Sequence, residues 1–351
     1  MRSVPLLKKY KLYKFTNHFV TELFEWACKN PKTANDKKNL IKTISSSRLL
    51  SIAKKYPRVR AEMSNLSNID RIDHISSAYL YYQKNYQEIM RGQKKNIFIH
   101  EKYTKILHKA FSYFYEDLID NEFFWKIYNP GNDFLTKSQF RASIQSTIKI
   151  CSYCDISLIT ETDTNLDHFL PISKFPFLGI YWANLIVACV NCNGNLNKSN
   201  RYRLPVLHSY FDEIHESVKF NFDHDKQTVR LQAKNKHATV VRSGFRGRNY
   251  IWLLKLDTRL EDTWHTVEQT RENLYMALKG IYNKNPYYKE YADLINWFAA
   301  NKIMPYYGQT SFSKLNLDYC EDRKINGFQD YKDWFTSEKN ASNAFFASLK
   351  K

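Results

Sequence analysis

The sequence predicts an α+β protein, a mostly helical chain with a small β-containing module at its centre. Three observations carry this. Apolar residues recur at three- and four-residue spacing in the first 145 residues and again after residue 260. Two C-x-x-C pairs, Cys151/Cys154 and Cys189/Cys192, bracket a stretch near the middle. Short alternating runs then follow at 218–222 and 229–231. The expected organisation is a basic helical region over 1–145, a cysteine-bracketed module over 146–205, and a hairpin followed by helices over 206–351. A chain of 351 residues is long enough for two or three domains with ample core.

Phe19, Leu23 and Trp26 fall on one helix face, and Ile41, Ile44, Leu49 and Ile52 do so less regularly. Ile106, Ala110, Phe111, Phe114 and Leu118 mark a longer helix, which Pro130-Gly131 closes off. Thr136 to Thr147 reads as a further helix leading into Cys151. Val218, Phe220 and Phe222 face Val229 and Leu231 across Asp223–Gln227, the pattern of a hairpin. Trp264, Val267, Leu274, Ala277 and Ile281 predict a helix, and Tyr291 to Phe298 another. Pro205 and Pro286 are candidate boundary marks, and beyond Pro305 no period stands out. These apolar and aromatic stripes are core and not a binding platform.

Lys and Arg number 53 against 35 Asp and Glu, a net charge of +18 with pI near 9.4. That surplus points to a polyanionic partner, nucleic acid ahead of an acidic membrane surface. A lysine-rich coding bias would raise the total too, so its distribution matters more. Residues 1–150 hold 27 basic and 13 acidic residues (+14), and the remaining 201 hold 26 and 22 (+4). Glycine is scarce, at 9, and neither G-x-G-x-x-G nor a P-loop occurs, which speaks against a nucleotide-cradling loop. No apolar run approaches the roughly 18 residues of a membrane span. Met1 to Lys9 lacks a signal-peptide core, so a cytoplasmic protein is expected.

Six cysteines are present, and Cys28 and Cys320 stand alone. The four in x-x-spaced pairs suit a tetrahedral zinc ion, because each two-residue gap allows a knuckle that turns both sulfurs to one centre. A zinc closed by four cysteines is structural, so any catalysis must come from residues between or beside the pairs. There, Asp167-His168 precedes Pro171 by a few residues, the mark of a strand that ends at the histidine.

The whole stretch resembles the HNH endonuclease family, a branch of the ββα-metal fold. The features stand in order: Cys151/Cys154, Asp167-His168-Phe169-Leu170-Pro171, Asn184-Leu185, then Cys189/Cys192-Asn193. The arrangement is similar to resolvases of the endonuclease VII type and covers about 50 residues, 151–198. The resemblance implies hydrolysis of DNA phosphodiester bonds, in a bacterial restriction or phage-defence effector. His168 would be the general base. Asp167 and Asn193 would hold one divalent cation, Mg2+ or Mn2+, as hard oxygen ligands. Asn184 would pin the loop that orients His168, and Lys198 is a candidate phosphate contact. The lysine stands two positions later than the family's usual Asn-x-x-Lys. If the last helix runs on from Asn193, Asn197 lies on the same face and rivals it as metal ligand. Two alternatives stay open: a non-catalytic zinc module that binds nucleic acid, and a nuclease subunit controlled by a partner protein.

Overall fold

In the computed structural model, the described residues are 13–30, 37–130, 136–160, 164–194, 197–234, 241–260, 263–281, 288–307, 309–334 and 336–337. Met1 to Lys9, Gly131 and Pro286, used above, lie outside them. The chain divides into two compact units, residues 2–214 and 215–351. The basic helical region and the cysteine-bracketed module therefore share one unit, and the division comes after Ile214, later than Pro205.

The first unit opens with α1 (Tyr13–Lys29), α2 (Lys37–Lys42), α3 (Ser47–Lys55) and α4 (Pro57–Ser67). The loose spacing from Ile41 to Ile52 has a simple cause: it spans two helices. Ser46 restarts the chain as N-cap of α3, its hydroxyl accepting from the Leu49 N–H at 3.2 Å. Pro57 then forces Tyr56 into an extended conformation and opens α4 at once. Next come α5 (Ile72–Met90), α6 (Glu101–Glu116), α7 (Glu122–Tyr128) and α8 (Lys137–Thr147), the last capped by Thr136 as its sequence suggests. Phe19 of α1 meets Phe114 of α6 and Phe124 and Tyr128 of α7 edge-on, with ring centroids 5.3, 5.2 and 5.4 Å away. Each such pair adds about 0.5–1.5 kcal/mol to burial, so these stripes are core.

The module itself is small. β1 (Thr164–His168) pairs antiparallel with β2 (Leu185–Cys189), Thr164 opposite Cys189 and His168 opposite Leu185, and α9 (Val190–Asn193) follows. Two five-residue strands are marginal alone, and the helices brace them. Tyr115 of α6 donates to the Leu166 carbonyl at 2.5 Å, and Arg141 of α8 to the Thr164 carbonyl at 3.1 Å.

After the short α10 (Ile214–Ser217), the second unit holds β3 (Val218–Asp223) and β4 (Thr228–Ala233), joined by the expected hairpin. α11 (Val241–Leu254) packs on β4 through Gly247, where a Cβ would stand 2.8 Å from that of Ala233. α12 (Leu256–Arg259), α13 (Trp264–Ile281), α14 (Tyr288–Phe298) and α15 (Ser313–Asn326) complete it. No described helix is long and apolar enough to cross a membrane.

Candidate functional site

Cys151, Cys154, Cys189 and Cys192 come together, all buried, with their sulfurs within 4.8 Å of one another. Regular Zn–S bonds of about 2.3 Å place sulfurs roughly 3.8 Å apart. The Cys151–Cys192 and Cys154–Cys189 separations are 3.9 and 4.0 Å, so the set fits a tetrahedral zinc ion. The first pair sits on a tight turn in which the Asp155 N–H returns to the Cys151 carbonyl at 3.1 Å. Asp155 takes a positive φ of 62°, which a short polar side chain tolerates better than most. In the second pair, Cys189 ends β2 and Cys192 lies in α9. The Cys189 N–H points at the Cys151 sulfur, 3.3 Å away, a contact that favours a thiolate.

Between the knuckles, β1 ends on Asp167 and His168, whose side chains have separate partners. Asp167 is 4% exposed and is held from both knuckles. Tyr153, inside the first C-x-x-C, donates to its Oδ2 at 2.9 Å. Lys198, after the second, reaches Oδ1 at 3.1 Å, Oδ2 at 2.9 Å and the His168 carbonyl at 2.6 Å. The Lys198 backbone N–H is itself tied to the Cys192 carbonyl at 3.4 Å. Lys198, read above as a candidate phosphate contact, is instead 1% exposed and turned inward. The reason is electrostatic: a buried carboxylate needs a counter-charge, and Lys198 is the charge its chain connection delivers.

His168 Nε2 lies 2.7 Å from the Gly179 carbonyl, which can only accept, so Nε2 carries the proton and Nδ1 keeps its lone pair, with no hydrogen-bond partner among the described residues. Burial pushes its pKa down to about 4, against the pull of the Gly179 carbonyl and Asp167 and with help from Lys198 and Lys137. The imidazole is therefore neutral near pH 7. The Tyr115 ring covers it at 4.4 Å.

Asn184 holds the loop that carries Gly179. It is fully buried, and its carbonyl accepts from Leu170 N–H at 2.7 Å and Tyr86 Oη at 2.8 Å. Its amide donates to the Leu170 carbonyl at 3.0 Å and the Leu178 carbonyl at 3.3 Å. Gly179 is glycine for space: a Cβ there would lie 2.8 Å from Ile172 Cδ1 and 3.0 Å from Phe111 Cβ of α6.

Asn193 ends α9, which packs on β1 and β2. The helix does not run on. Gly194 adopts an extended conformation (ψ 157°), and the Asn197 side chain turns back to the Asn191 carbonyl. Asn197 is thus not one turn above Asn193, which removes the helical argument for it as rival ligand. Tyr86, Tyr115 and Tyr153 were not foreseen as parts of the site. Tyr153, in the middle of Cys151-Ser-Tyr-Cys154, had the nearest thing to a signal; the other two sit in ordinary helical stripes.

No known family model matches the chain. No solved structure matches it. Over 74 residues it is 31% identical to Septu protein PtuB of Bacillus thuringiensis, a match that covers 20% of this chain and 29% of that protein. The chain thus spans under a third of that relative's length.

Proposed function

We propose that this chain is a zinc-stapled HNH-type nuclease that hydrolyses DNA phosphodiester bonds in phage defence, with His168 as general base. The observation that carries the reading is the state of His168: neutral, its Nε2–H committed to Gly179, its Nδ1 lone pair left to take a proton. The order of motifs around it supports the HNH assignment, the likeness to a Septu protein supports the defence setting, and the +14 charge of residues 1–150 supports a nucleic-acid substrate. Control by a partner protein belongs to the same proposal.

In this mechanism, water approaches phosphorus and gives a proton to His168 Nδ1 as its oxygen bonds to phosphorus. The P–O3′ bond breaks, the 3′ oxygen takes a proton from solvent, and the products are a 5′-phosphate and a 3′-hydroxyl. Asn184 fixes the loop so that the Gly179 carbonyl keeps the imidazole in one tautomer and orientation. Zinc, held by Cys151, Cys154, Cys189 and Cys192, supplies fold and not reactivity.

The resemblance also implies Mg2+ or Mn2+ on Asp167 and Asn193. Such an ion, when bound, neutralises the phosphate and the leaving oxygen as a Lewis acid. The oxygen ligands are of the right type. The Asp167 carboxylate, however, already carries the buried Lys198 ammonium on both its oxygens. The residues as placed do not fit the ion.

One observation favours the competing, non-catalytic reading: an Asp167 already neutralised by Lys198 is also what a binding module would keep. A plasmid-cleavage assay decides, using zinc-loaded protein with and without Mg2+ or Mn2+, wild type beside His168→Ala. The nuclease reading expects wild-type cleavage and a loss of about 100-fold or more in the variant. Tight DNA binding without cleavage under any of these conditions favours the binding module.

A further inference from the structure

We propose that Lys198 is the resident cation of Asp167, a tethered ammonium that excludes a divalent ion from this carboxylate. The inference deepens the nuclease reading, because it concerns the residue to which that reading's resemblance assigns a metal.

The geometry is that of a filled cation site. Lys198 Nζ has three N–H donors and three acceptors within reach: Asp167 Oδ1, Asp167 Oδ2 and the His168 carbonyl, at 3.1, 2.9 and 2.6 Å. Both partners are almost fully enclosed, Asp167 at 4% and Lys198 at 1% exposure. Among the described residues, the other hydrogen bond to the carboxylate comes from Tyr153, a neutral hydroxyl at 2.9 Å, and the ammonium is the cation paired with it. A divalent ion on the same carboxylate would stand a few ångströms from a like charge in a site poor in water, where repulsion is weakly screened. Removing the lysine's charge should therefore open the carboxylate to a metal.

The backbone fixes the lysine in place. Its N–H is bonded to the Cys192 carbonyl, and its own carbonyl accepts from the Arg201 N–H at 2.9 Å. The second cysteine knuckle and the cation of Asp167 are thus one local structure. The late lysine, two positions beyond the family spacing, has a physical use: α9 ends at Asn193, and at position 198 the lysine lies back against the end of β1.

The test reads metal binding and not cleavage. Mn2+ is titrated into zinc-loaded protein and the free ion followed by electron paramagnetic resonance. Lys198→Gln keeps a donor toward Asp167 and the His168 carbonyl but removes the charge, and should bind Mn2+ at least roughly tenfold more tightly than wild type. Lys198→Arg, which keeps the charge, should not, and Asp167→Asn with Lys198→Gln should cancel the gain. Equal affinity in wild type and Lys198→Gln overturns the proposal. Should Lys198→Gln fail to fold, wild type against Asp167→Asn still decides. A wild-type site tighter than about 0.1 mM that Asp167→Asn removes overturns it, and no such site upholds it. Absence of cleavage in every variant would remove the nuclease reading while leaving these binding results intact.

Discussion

Asn184→Ala should loosen the first unit far more than the loss of one small side chain suggests. The amide of Asn184 serves four buried groups, the Tyr86 hydroxyl, the Leu170 N–H and the Leu170 and Leu178 carbonyls. Tyr86 is 3% exposed, Leu170 1% and Leu178 0%, so water does not replace what is lost. Stranding a buried donor costs about 1–3 kcal/mol, and the two donors alone therefore give about 2–6 kcal/mol. Tyr86→Phe is the control. It removes one of the four bonds and leaves Asn184 Oδ1 still paired with Leu170 N–H, a cost of about 0.5–1.5 kcal/mol. At roughly 2–4 °C per kcal/mol for a unit of this size, Asn184→Ala should lower Tm by about 10 °C and Tyr86→Phe by only a few degrees. Thermal melts of the zinc-loaded proteins by circular dichroism provide the numbers. If the two variants melt together, Asn184 is not the clamp of this loop and its role in orienting His168 goes with it.

Cys189→Ser should lose its zinc by elemental analysis and melt early, whereas Asp167→Asn should retain one zinc per chain; a wild-type protein purified without zinc contradicts the cluster's assignment. Gly179→Ala pushes the loop off Phe111 and Ile172, so it should slow cleavage by about 10- to 100-fold while binding DNA normally; an unchanged rate removes the Gly179–His168 contact from the mechanism. His168 titrates near 4 in the folded protein against about 6.5 unfolded, so between these values the unfolded chain holds the extra proton. Stability should fall as pH drops through that window, and less steeply in His168→Gln, a comparison that cancels zinc loss common to both; parallel pH curves refute the shifted pKa. DNA affinity should decline with salt at a log–log slope of about −0.9 per phosphate contacted, and a flat salt response would mean that the +14 charge is surface solubility alone.

The helices with clean apolar faces were legible in the sequence because burial alone decides them. Ile106 to Phe114 and Trp264 to Ile281 fall inside α6 and α13, Thr136 caps the α8 that runs to Thr147, and the hairpin turn lies where Asp223–Gln227 places it. Leu118, read on the same stripe as Ile106, instead lies beyond α6, which ends at Glu116 well before Pro130, and a separate α7 fills the interval. α15 was not legible for a physical reason. Its buried face carries Lys314, Asp318 and Arg323 among Leu315, Tyr319 and Cys320, because those charges are used internally. Asp318 accepts from the Phe220 N–H of β3 at 2.8 Å and pairs with Lys314, and Arg323 pairs with Asp330 at 3.0 Å. An apolar period cannot register such a face.

The candidate site divides in the same way. Cysteine spacing announced the cluster because the ligands are local pairs, and Asp167-His168 with Pro171 announced a strand end. Tyr86 lies 98 residues from Asn184, and Tyr115 51 from Leu166. Long-range hydrogen bonds of that kind leave no trace in local pattern. Lys198 was visible as a residue, but its direction was not: whether a lysine faces solvent or a buried carboxylate depends on where Gly194 ends the preceding helix. The shared unit of helices and module follows from these same contacts, since the two short strands depend on Tyr115 and Arg141 for support.

Water activation at His168 is tested most directly by single-turnover cleavage of an end-labelled DNA duplex in 18O-water, with wild type and His168→Ala compared at pH 7. Wild type should leave a 3′-hydroxyl and a 5′-phosphate carrying one solvent oxygen, and His168→Ala should be slower by about 100-fold or more. A product without solvent label, or a variant as fast as wild type, would contradict hydrolysis by water activated at His168.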